Sequence, residues 1–355
     1  MKKQNYKVLG LMSGTSLDGI DCAVVEFSMM ESQWNFDFLF GETLPYPVEW
    51  FRKLKDAAHL SETNLHLLNI DYTSYLATVI NDFVSKHQLN DLDFISSHGH
   101  TVLHQPNKGV TLQIGNLPLI TDLISFPIIC DFRVQDVALG GQGAPLVPIG
   151  DRLLFSDYEY CLNLGGFSNI SFEQNGQRFA FDICPVNTLL NYFAQKEGSV
   201  FDDEGKLARQ GKVDDSLFET LNNIEFYQLS TPKSLGIEQV NEIYLPLIAR
   251  FELSNYDILA TLTEHIAFQI AKTINIENSR LLITGGGALN RHLINRMKYY
   301  LPKTEIVLGS DELIAFKEAI IFAFLGVLRV EGIHNVLSSV TGAKTDHCSG
   351  VVYGL

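Results

Sequence analysis

The chain has 355 residues, 46% of them hydrophobic and 19% charged, with a formal net charge of −15. This length exceeds what one hydrophobic core fills, so two domains are expected, and the composition excludes a disordered chain. The acidic balance opposes general binding to nucleic acid or anionic lipid, and no apolar run approaches the ~18 residues that span a bilayer, so neither is expected as a partner.

The amino-terminal residues Met1-Lys2-Lys3-Gln4-Asn5-Tyr6-Lys7 run straight into an apolar segment without the apolar core of a secretion signal. The five cysteines, Cys22, Cys130, Cys161, Cys184 and Cys348, are odd in number and scattered through mostly apolar settings. They read as reduced core residues rather than a disulfide frame or a zinc site, and a cytoplasmic protein is expected.

Residues 8–27 predict a β-hairpin whose turn holds Ser13, Gly14, Thr15, Ser16, Asp18 and Gly19. Glycines there let backbone N–H groups approach an anion, and hydroxyls donate to phosphate oxygens; a plain polar turn is the alternative. Residues 34–44 read as a third strand, and 65–87 as a helix with the stripe Leu68, Tyr72, Leu76, Val79, Ile80, Phe83. Strands follow at 94–99, 111–114 and 128–130. Near residue 157 the pattern restarts with a strand at 160–164, a Gly165-Gly166-Phe167-Ser168-Asn169 turn and a returning strand at 170–172. A strand at 178–182 then leads into a helix from about Pro185 to Lys196. Two similar hairpins, spaced by about 150 residues, suggest two related halves. A helix at 256–274 carries Leu259, Leu262, Ile266 and Ile270. The strand 280–284 runs into Gly285-Gly286-Gly287-Ala288-Leu289-Asn290, and an apolar helix at 313–330 carries Lys317 and Glu318. Alternating strands and helices give an α/β fold. The domains are expected at 1–155, joined by 336–355, and at 156–335.

There is neither a Gly-x-x-x-x-Gly-Lys-Ser/Thr loop nor a Gly-x-Gly-x-x-Gly after the first strand. Three glycine-rich turns at strand ends, in two halves, instead favour nucleotide phosphates held between domains. Asp182 ends a strand before a helix, where the helix dipole would hold it ionised as a base; a capping Asp is the alternative. Asp18 either binds a sugar hydroxyl or a metal-bound water, or stabilises its turn. Arg133, in Asp131-Phe132-Arg133, suits a carboxylate or phosphate, or pairs with Asp131 or Asp136. Glu318 is either a partly buried functional carboxylate or a partner of Lys317. His98, His100 and His104 have a spacing that zinc ligands use, and a metal-dependent hydrolase would need them. With no acidic partner in that segment and Pro106 limiting a helix, no protein-bound metal is expected.

With these segments together, the chain resembles the anhydro-N-acetylmuramic acid kinase family of the actin-like (sugar kinase, Hsp70) ATPase superfamily. The resemblance rests on residues 10–21 (Gly-Leu-Met-Ser-Gly-Thr-Ser-Leu-Asp-Gly-Ile-Asp), 97–104, 111–115, 131–133, 140–148, 163–170, 232–236, 260–263, 285–290 and 317–319. It implies a two-lobed, ribonuclease H-like fold with a central interdomain cleft. It also implies an enzyme that opens the 1,6-anhydro bridge of anhydro-N-acetylmuramic acid with water and phosphorylates O6 from Mg2+-ATP, giving N-acetylmuramic acid 6-phosphate in cell-wall recycling. On that pattern Asp182 is the base that activates the water. ATP and its phosphates would be held by Gly14, Thr15, Ser16, Leu17, Asp18, Gly19, Ile20, Asp21, Gly165, Gly166, Asn169, Gly285, Gly286, Gly287 and Asn290. Thr15, Asp18, His100, Arg133 and Glu318 would hold the sugar, and a homodimer is implied.

The sequence departs from the family at three places. The family segment after the base usually reads Thr-Gly-Pro-Gly-Asn, where this chain has Ile183-Cys184-Pro185-Val186-Asn187. That predicts added side chains where the sugar or γ-phosphate approaches backbone. His100 stands for an expected Gln and Asn116 for an expected Asp. An actin-like ATPase that acts on another sugar, or that switches with nucleotide, is therefore the alternative function.

Overall fold

The apolar run and polar turn of the first segment form an antiparallel hairpin, β1 (Asn5–Ser13) and β2 (Gly19–Met30), with Val8 opposite Val25 and Leu11 opposite Cys22. The computed structural model describes residues 5–14 and 16–354. The further strands are β3 (Gln33–Pro45), β4 (Phe94–Gln105), β5 (Val110–Ile114), β6 (Ile128–Cys130), β7 (Tyr160–Leu164), β8 (Phe167–Gln174), β9 (Gln177–Pro185), β10 (Arg280–Thr284), β11 (Glu305–Leu308) and β12 (Val351–Tyr353).

The chain forms two compact units, one running to Leu154 and resuming at Phe316, the other spanning Phe155–Ala315. In the first, the sheet order is β12-β6-β4-β1-β2-β3, with β5 paired to β4. Strands β1, β2 and β3 make an antiparallel meander, and β4 and β6 continue the sheet from β1 in parallel. The second unit repeats this arrangement. Its order is β11-β10-β7-β8-β9, with an antiparallel β7-β8-β9 meander and parallel β10 and β11. The two hairpins noted in the sequence thus begin two copies of one ribonuclease H-like topology.

In the first unit the helix Glu62–Lys86 starts at Ser61, whose hydroxyl caps the Asn64 N–H. Its stripe Leu76, Ile80 and Phe83 packs on Leu9, Leu11, Ile20 and Val24 of the sheet. Gly10 points to the opposite face, because side chains alternate along a strand. There the helix Asp311–Glu331 comes so close that a Cβ on Gly10 would lie 2.2 Å from the Ala319 carbonyl oxygen. Phe324 of this helix packs on Phe27 and Trp34, and Phe322 on Phe132. These contacts return the chain to the first unit at Phe316 rather than at 336, and they place Glu318 on that unit.

In the second unit Leu162, Leu164, Ile170 and Ile283 pack against Leu259, Leu262, Ile266 and Ile270 of the helix Asn255–Thr273. Each such fully buried side chain contributes about 1.5–3 kcal/mol of transfer free energy. The helix expected from Pro185 begins at Asn187 instead. Pro185 still pairs with Phe167 as the last residue of β9; lacking an N–H, it suits a strand end. The cysteines are free, four of them buried, and no helix among the described residues is long and apolar enough to cross a membrane.

Candidate active site

Asp182 lies in a polar row across the second sheet. Thr284 faces Asn163, Asn163 faces Asn169, and Asn169 faces Asp182 on successive strands. Directly opposed residues share a face, so this row gathers two amides and a carboxylate at the strand ends. The register slips just beyond it, where Ser168 pairs with Cys184 and leaves Ile183 as a bulge. Bulges of this kind re-aim neighbouring side chains. The Asp182 backbone N–H donates to the Lys233 carbonyl (3.0 Å), and Oδ2 accepts the Leu235 N–H at 2.8 Å. Oδ1 takes no hydrogen bond from a described residue, so one carboxylate oxygen is fixed and the other is open to a water. Burial raises the carboxyl pKa, and the Leu235 N–H opposes that rise.

Asp182 is not the cap of the helix after β9, and no N–H of that helix donates to it among the described residues. The cap position is Val186, and the N–H groups of Val186 and Thr188 donate to the Gly166 carbonyl while that of Asn187 donates to Gly165. With those donors used, the Leu235 amide stabilises the charge.

The departures at 183, 184 and 186 also fall differently from expectation. Ile183 and Val186 are buried in the core of the second unit, and the Cys184 thiol lies 3.3 Å from the Ser168 hydroxyl. None of the three side chains projects into the polar row. Alternation along β9, interrupted once at the bulge, turns Ile183 and Cys184 inward, and Val186 is buried at the start of the following helix.

The glycines of the second unit divide by what fixes them. Gly285 has φ +78, and its Cβ would meet the Asn163 Oδ1 at 2.5 Å; a Cβ on Gly287 would strike the Leu164 Cβ at 2.7 Å. Packing therefore explains both. At Gly286 the nearest neighbour of a Cβ is the Asn187 Nδ2 at 4.0 Å, which leaves an open cradle beside backbone. Asn290 is occupied as a cap, its Oδ1 accepting the Leu293 N–H at 3.0 Å. An open groove of about 380 Å³ is lined by Gly166, Asn187, Thr188, Asn191, Tyr192 and Gln195.

In the first unit the turn proper is short. Gly14 and Ser16 to Asp18 form it, while Thr15 lies outside the described residues. The Ser16 hydroxyl donates to Asp18 Oδ1 at 2.7 Å, and Leu17 takes a left-handed φ of 60. Gly19, Ile20 and Asp21 belong to β2, paired with Pro45, Leu44 and Thr43. Ile20 is buried in the core, a Cβ on Gly19 would lie 2.5 Å from the Leu44 oxygen, and the Thr43 hydroxyl donates to Asp21. Those three residues therefore build the strand, and the exposed donors and carboxylate sit at 16–18.

Arg133 follows Asp131, whose left-handed φ of 55 turns the chain sharply after β6. Its Nε donates to His98 Nε2 at 2.9 Å and its Nη1 to the Gly143 carbonyl at 2.6 Å. Neither Asp131 nor Asp136 pairs with it among the described residues. Asp136 is fully buried and instead accepts the Gly143 N–H at 2.6 Å and the Thr341 hydroxyl at 2.7 Å, which fixes the loop that Arg133 grips. Burial lowers the Arg133 pKa to about 10, while the Glu318 and Asp136 charges raise it. Lys317 forms an ion pair with Asp151 at 2.7 Å. Glu318 reaches solvent although protein atoms crowd its carboxyl; that desolvation raises its pKa and Arg133 lowers it. Glu318 thus feels opposite charges, Arg133 favouring its ionised form and Asp21 opposing it.

The histidines are not a metal cluster. His98 Nδ1–H donates to the Gly99 carbonyl at 3.0 Å while Nε2 receives Arg133, so both nitrogens are used. His100 Nδ1 meets the Ser13 hydroxyl at 2.9 Å, and Ser13 continues to Tyr46 and Tyr72. His104 lies 3.1 Å from the Thr111 hydroxyl, and no metal-binding group of three or more His, Cys, Asp or Glu occurs among the described residues. His100 is enclosed, at 3% exposure, in a hydroxyl chain. Its pKa falls from 6.5 to about 4 through burial. The unfolded chain therefore binds a proton that the folded one refuses, and stability present above pH 6.5 is lost as the pH falls toward 4. The full difference is at most about 3 kcal/mol. His100→Gln should flatten denaturant-midpoint curves between pH 6.5 and 4.5; a slope equal to that of the parent would contradict this.

The profile of the anhydro-N-acetylmuramic acid kinase family matches residues 6–354. The chain belongs to this family. It is 34% identical over 377 residues to the anhydro-N-acetylmuramic acid kinase of Pasteurella multocida, covering 99% of this chain and 98% of that one. The protein of the same name from Haemophilus influenzae is 34% identical over 385 residues, with 99% and 98% covered. Among solved structures, component A of (R)-2-hydroxyglutaryl-CoA dehydratase from Acidaminococcus fermentans has a TM-score of 0.43 at 12% identity, covering 90% of this chain and 96% of that chain.

Two groups hold the candidate residues in ways the sequence reading did not assign: His98, read only as a candidate metal ligand, holds Arg133, and the segment Pro232-Lys233-Ser234-Leu235-Gly236 holds Asp182. The second was visible only as part of the family resemblance, with no role attached.

Proposed function

We propose that the chain is an ATP-dependent kinase that opens 1,6-anhydro-N-acetylmuramic acid with water and phosphorylates O6, yielding N-acetylmuramic acid 6-phosphate. The family match over residues 6–354 carries this reading. The geometry of Asp182, with one oxygen fixed by Leu235 and the other open, supports its role as base. In this mechanism Asp182 takes a proton from the water that attacks the anomeric carbon. The bond from that carbon to the bridge oxygen breaks, and the released O6 attacks the γ-phosphorus of ATP as the bond from that phosphorus to the β,γ-bridging oxygen breaks and ADP leaves. Positioning and charge neutralisation supply most of the catalysis in such transfers.

Arg133 and Glu318 are suited to orient the sugar, since one offers donors in a planar fork and the other an acceptor. Asp18 and the Ser16 hydroxyl suit the polar groups of sugar or phosphate, with Thr15 assigned beside them on the resemblance alone. His100 supports Ser13 from behind. Gly286, open where its neighbours are packed, suits close approach of a nucleotide to backbone. Mg2+ neutralises phosphate charge when bound, and ions of this kind take one or two carboxylates plus substrate phosphates. Asp18, whose carboxylate is exposed in the turn, would fit that role. A cytoplasmic homodimer is proposed on the resemblance.

The test is ADP release from Mg2+-ATP with a panel of anhydro-sugars, with the product's phosphorylated position determined by NMR. Turnover that requires anhydro-N-acetylmuramic acid and places phosphate on O6 is expected. Equal turnover with and without sugar would support the nucleotide-switch alternative instead.

A further inference from the structure

The Asp182 carboxylate is fixed by a segment with no strand or long helix of its own, so something must hold that segment still. Residues 229–236 lie outside regular structure between the short turn Glu225–Gln228 and the helix Ile237–Gln239. Lys233 anchors them. Its ammonium donates to the Phe226 carbonyl at 2.9 Å and sits 4.5 Å from the Phe226 ring centroid and 5.8 Å from that of Tyr227. The same residue's carbonyl accepts the Asp182 N–H, and two residues on, the Leu235 N–H reaches Oδ2.

The turn under Lys233 is itself tied down. Tyr244 donates to the Tyr227 hydroxyl at 2.9 Å, and Tyr227 donates to His265 Nε2 at 2.8 Å. His265 Nδ1–H and Gln269 both donate to Asn222 Oδ1, at 2.8 and 2.7 Å. Every donor and acceptor in this chain is assigned consistently by a neutral His265, the state its burial imposes. Hydrogen bonds from the helix Asn255–Thr273 thus hold the Tyr227 side chain, the adjoining Phe226 carbonyl holds the Lys233 ammonium, and the backbone at Lys233 and Leu235 holds the base.

We propose that Lys233 is a positioning residue that clamps the 229–236 segment onto the Phe226–Tyr227 turn and thereby presents the Leu235 N–H to Asp182. This rests on the reading of Asp182 as the base. A cation bonded to a carbonyl and seated over two aromatic rings has little freedom, and its backbone shares that restraint. Without the clamp, the Leu235 N–H no longer meets Oδ2, and the carboxylate both turns more freely and protonates more readily.

The Cys184 thiol on the same strand feels both the Asp182 carboxylate and the Lys233 ammonium. Burial pushes that thiol up to about 12, so it stays neutral and does not titrate in the range of the test. The experiment compares the purified full chain with Lys233→Met, Lys233→Arg and Leu235→Pro, recording kcat and KM against pH and checking each fold by circular dichroism. Lys233→Met should lower kcat about tenfold, leave the KM for ATP within about twofold, and move the acid limb of kcat up by about one pH unit. Lys233→Arg, which retains the charge and a donor, should bring the limb back. Leu235→Pro removes the N–H itself while keeping the Lys233 charge, so it should move the limb the same way; it decides the matter if Lys233→Met does not fold. A wild-type limb and kcat in the folded Lys233→Met or Leu235→Pro protein would overturn the clamp. Asp182→Asn, measured alongside, separates the two levels: its retaining full turnover would reject Asp182 as base, whereas its inactivity beside an unaltered Lys233→Met would reject the clamp alone.

Discussion

Asp182→Asn is expected to lower turnover by about 10³-fold while the affinity for ATP changes by less than about twofold, since general-base catalysis contributes about 10²–10⁴-fold. The substitution is nearly isosteric, and an Asn Oδ1 still accepts the Leu235 N–H that Asp182 Oδ2 accepts at 2.8 Å. What is lost is the ability to take a proton at the oxygen that no described residue occupies. Burial raises the carboxyl pKa, so the parent enzyme should also show an acid limb above the ordinary aspartate value. The sign is fixed by the base's need to be ionised: activity is present above that pKa and falls as the pH drops through it. Turnover by Asp182→Asn close to that of the parent, at saturating sugar, would remove Asp182 from the mechanism.

Arg133→Ala should raise the KM for the sugar by about 10–100-fold and leave that for ATP within about twofold, the loss expected for charge-assisted hydrogen bonds. Arg133 is already held on one side by His98 and Gly143, at 2.9 and 2.6 Å, which leaves its remaining donors aimed without further ordering cost. Arg133→Lys would not rescue binding. A single ammonium cannot reproduce a fork that meets an imidazole nitrogen and a carbonyl while still facing a ligand. Removing the guanidinium also strands the buried His98 Nε2, so some loss of thermal stability is expected. A sugar KM unchanged in Arg133→Ala would refute the assignment.

The residues most legible in the sequence were those whose role depends on local chain chemistry. The strand Arg280–Thr284 and its glycine turn were read to the residue, because an apolar run ending in three glycines permits little else. The stripe Leu259, Leu262, Ile266, Ile270 marked the buried face of its helix for the same reason. Asp182 stood out as an acid closing an apolar run, although β9 continues past it to Pro185. Its actual partner did not, because the Leu235 N–H is a backbone group 53 positions away and leaves no mark in residue identity. The His98–Arg133 contact spans 35 positions and was hidden behind a histidine spacing that suggested metal. The inward turn of Ile183 and Cys184 depends on a one-residue slip between β8 and β9, which no periodicity announces.

The most direct measurement is a single reaction of anhydro-N-acetylmuramic acid and Mg2+-ATP in water enriched in ¹⁸O, with the sugar phosphate fragmented in a mass spectrometer. One heavy oxygen on the anomeric carbon, with the phosphate on O6 unlabelled, is the predicted outcome, because the solvent attacks carbon while the bridge oxygen attacks phosphorus. Heavy oxygen in inorganic phosphate with the sugar intact would show simple ATP hydrolysis and contradict the mechanism.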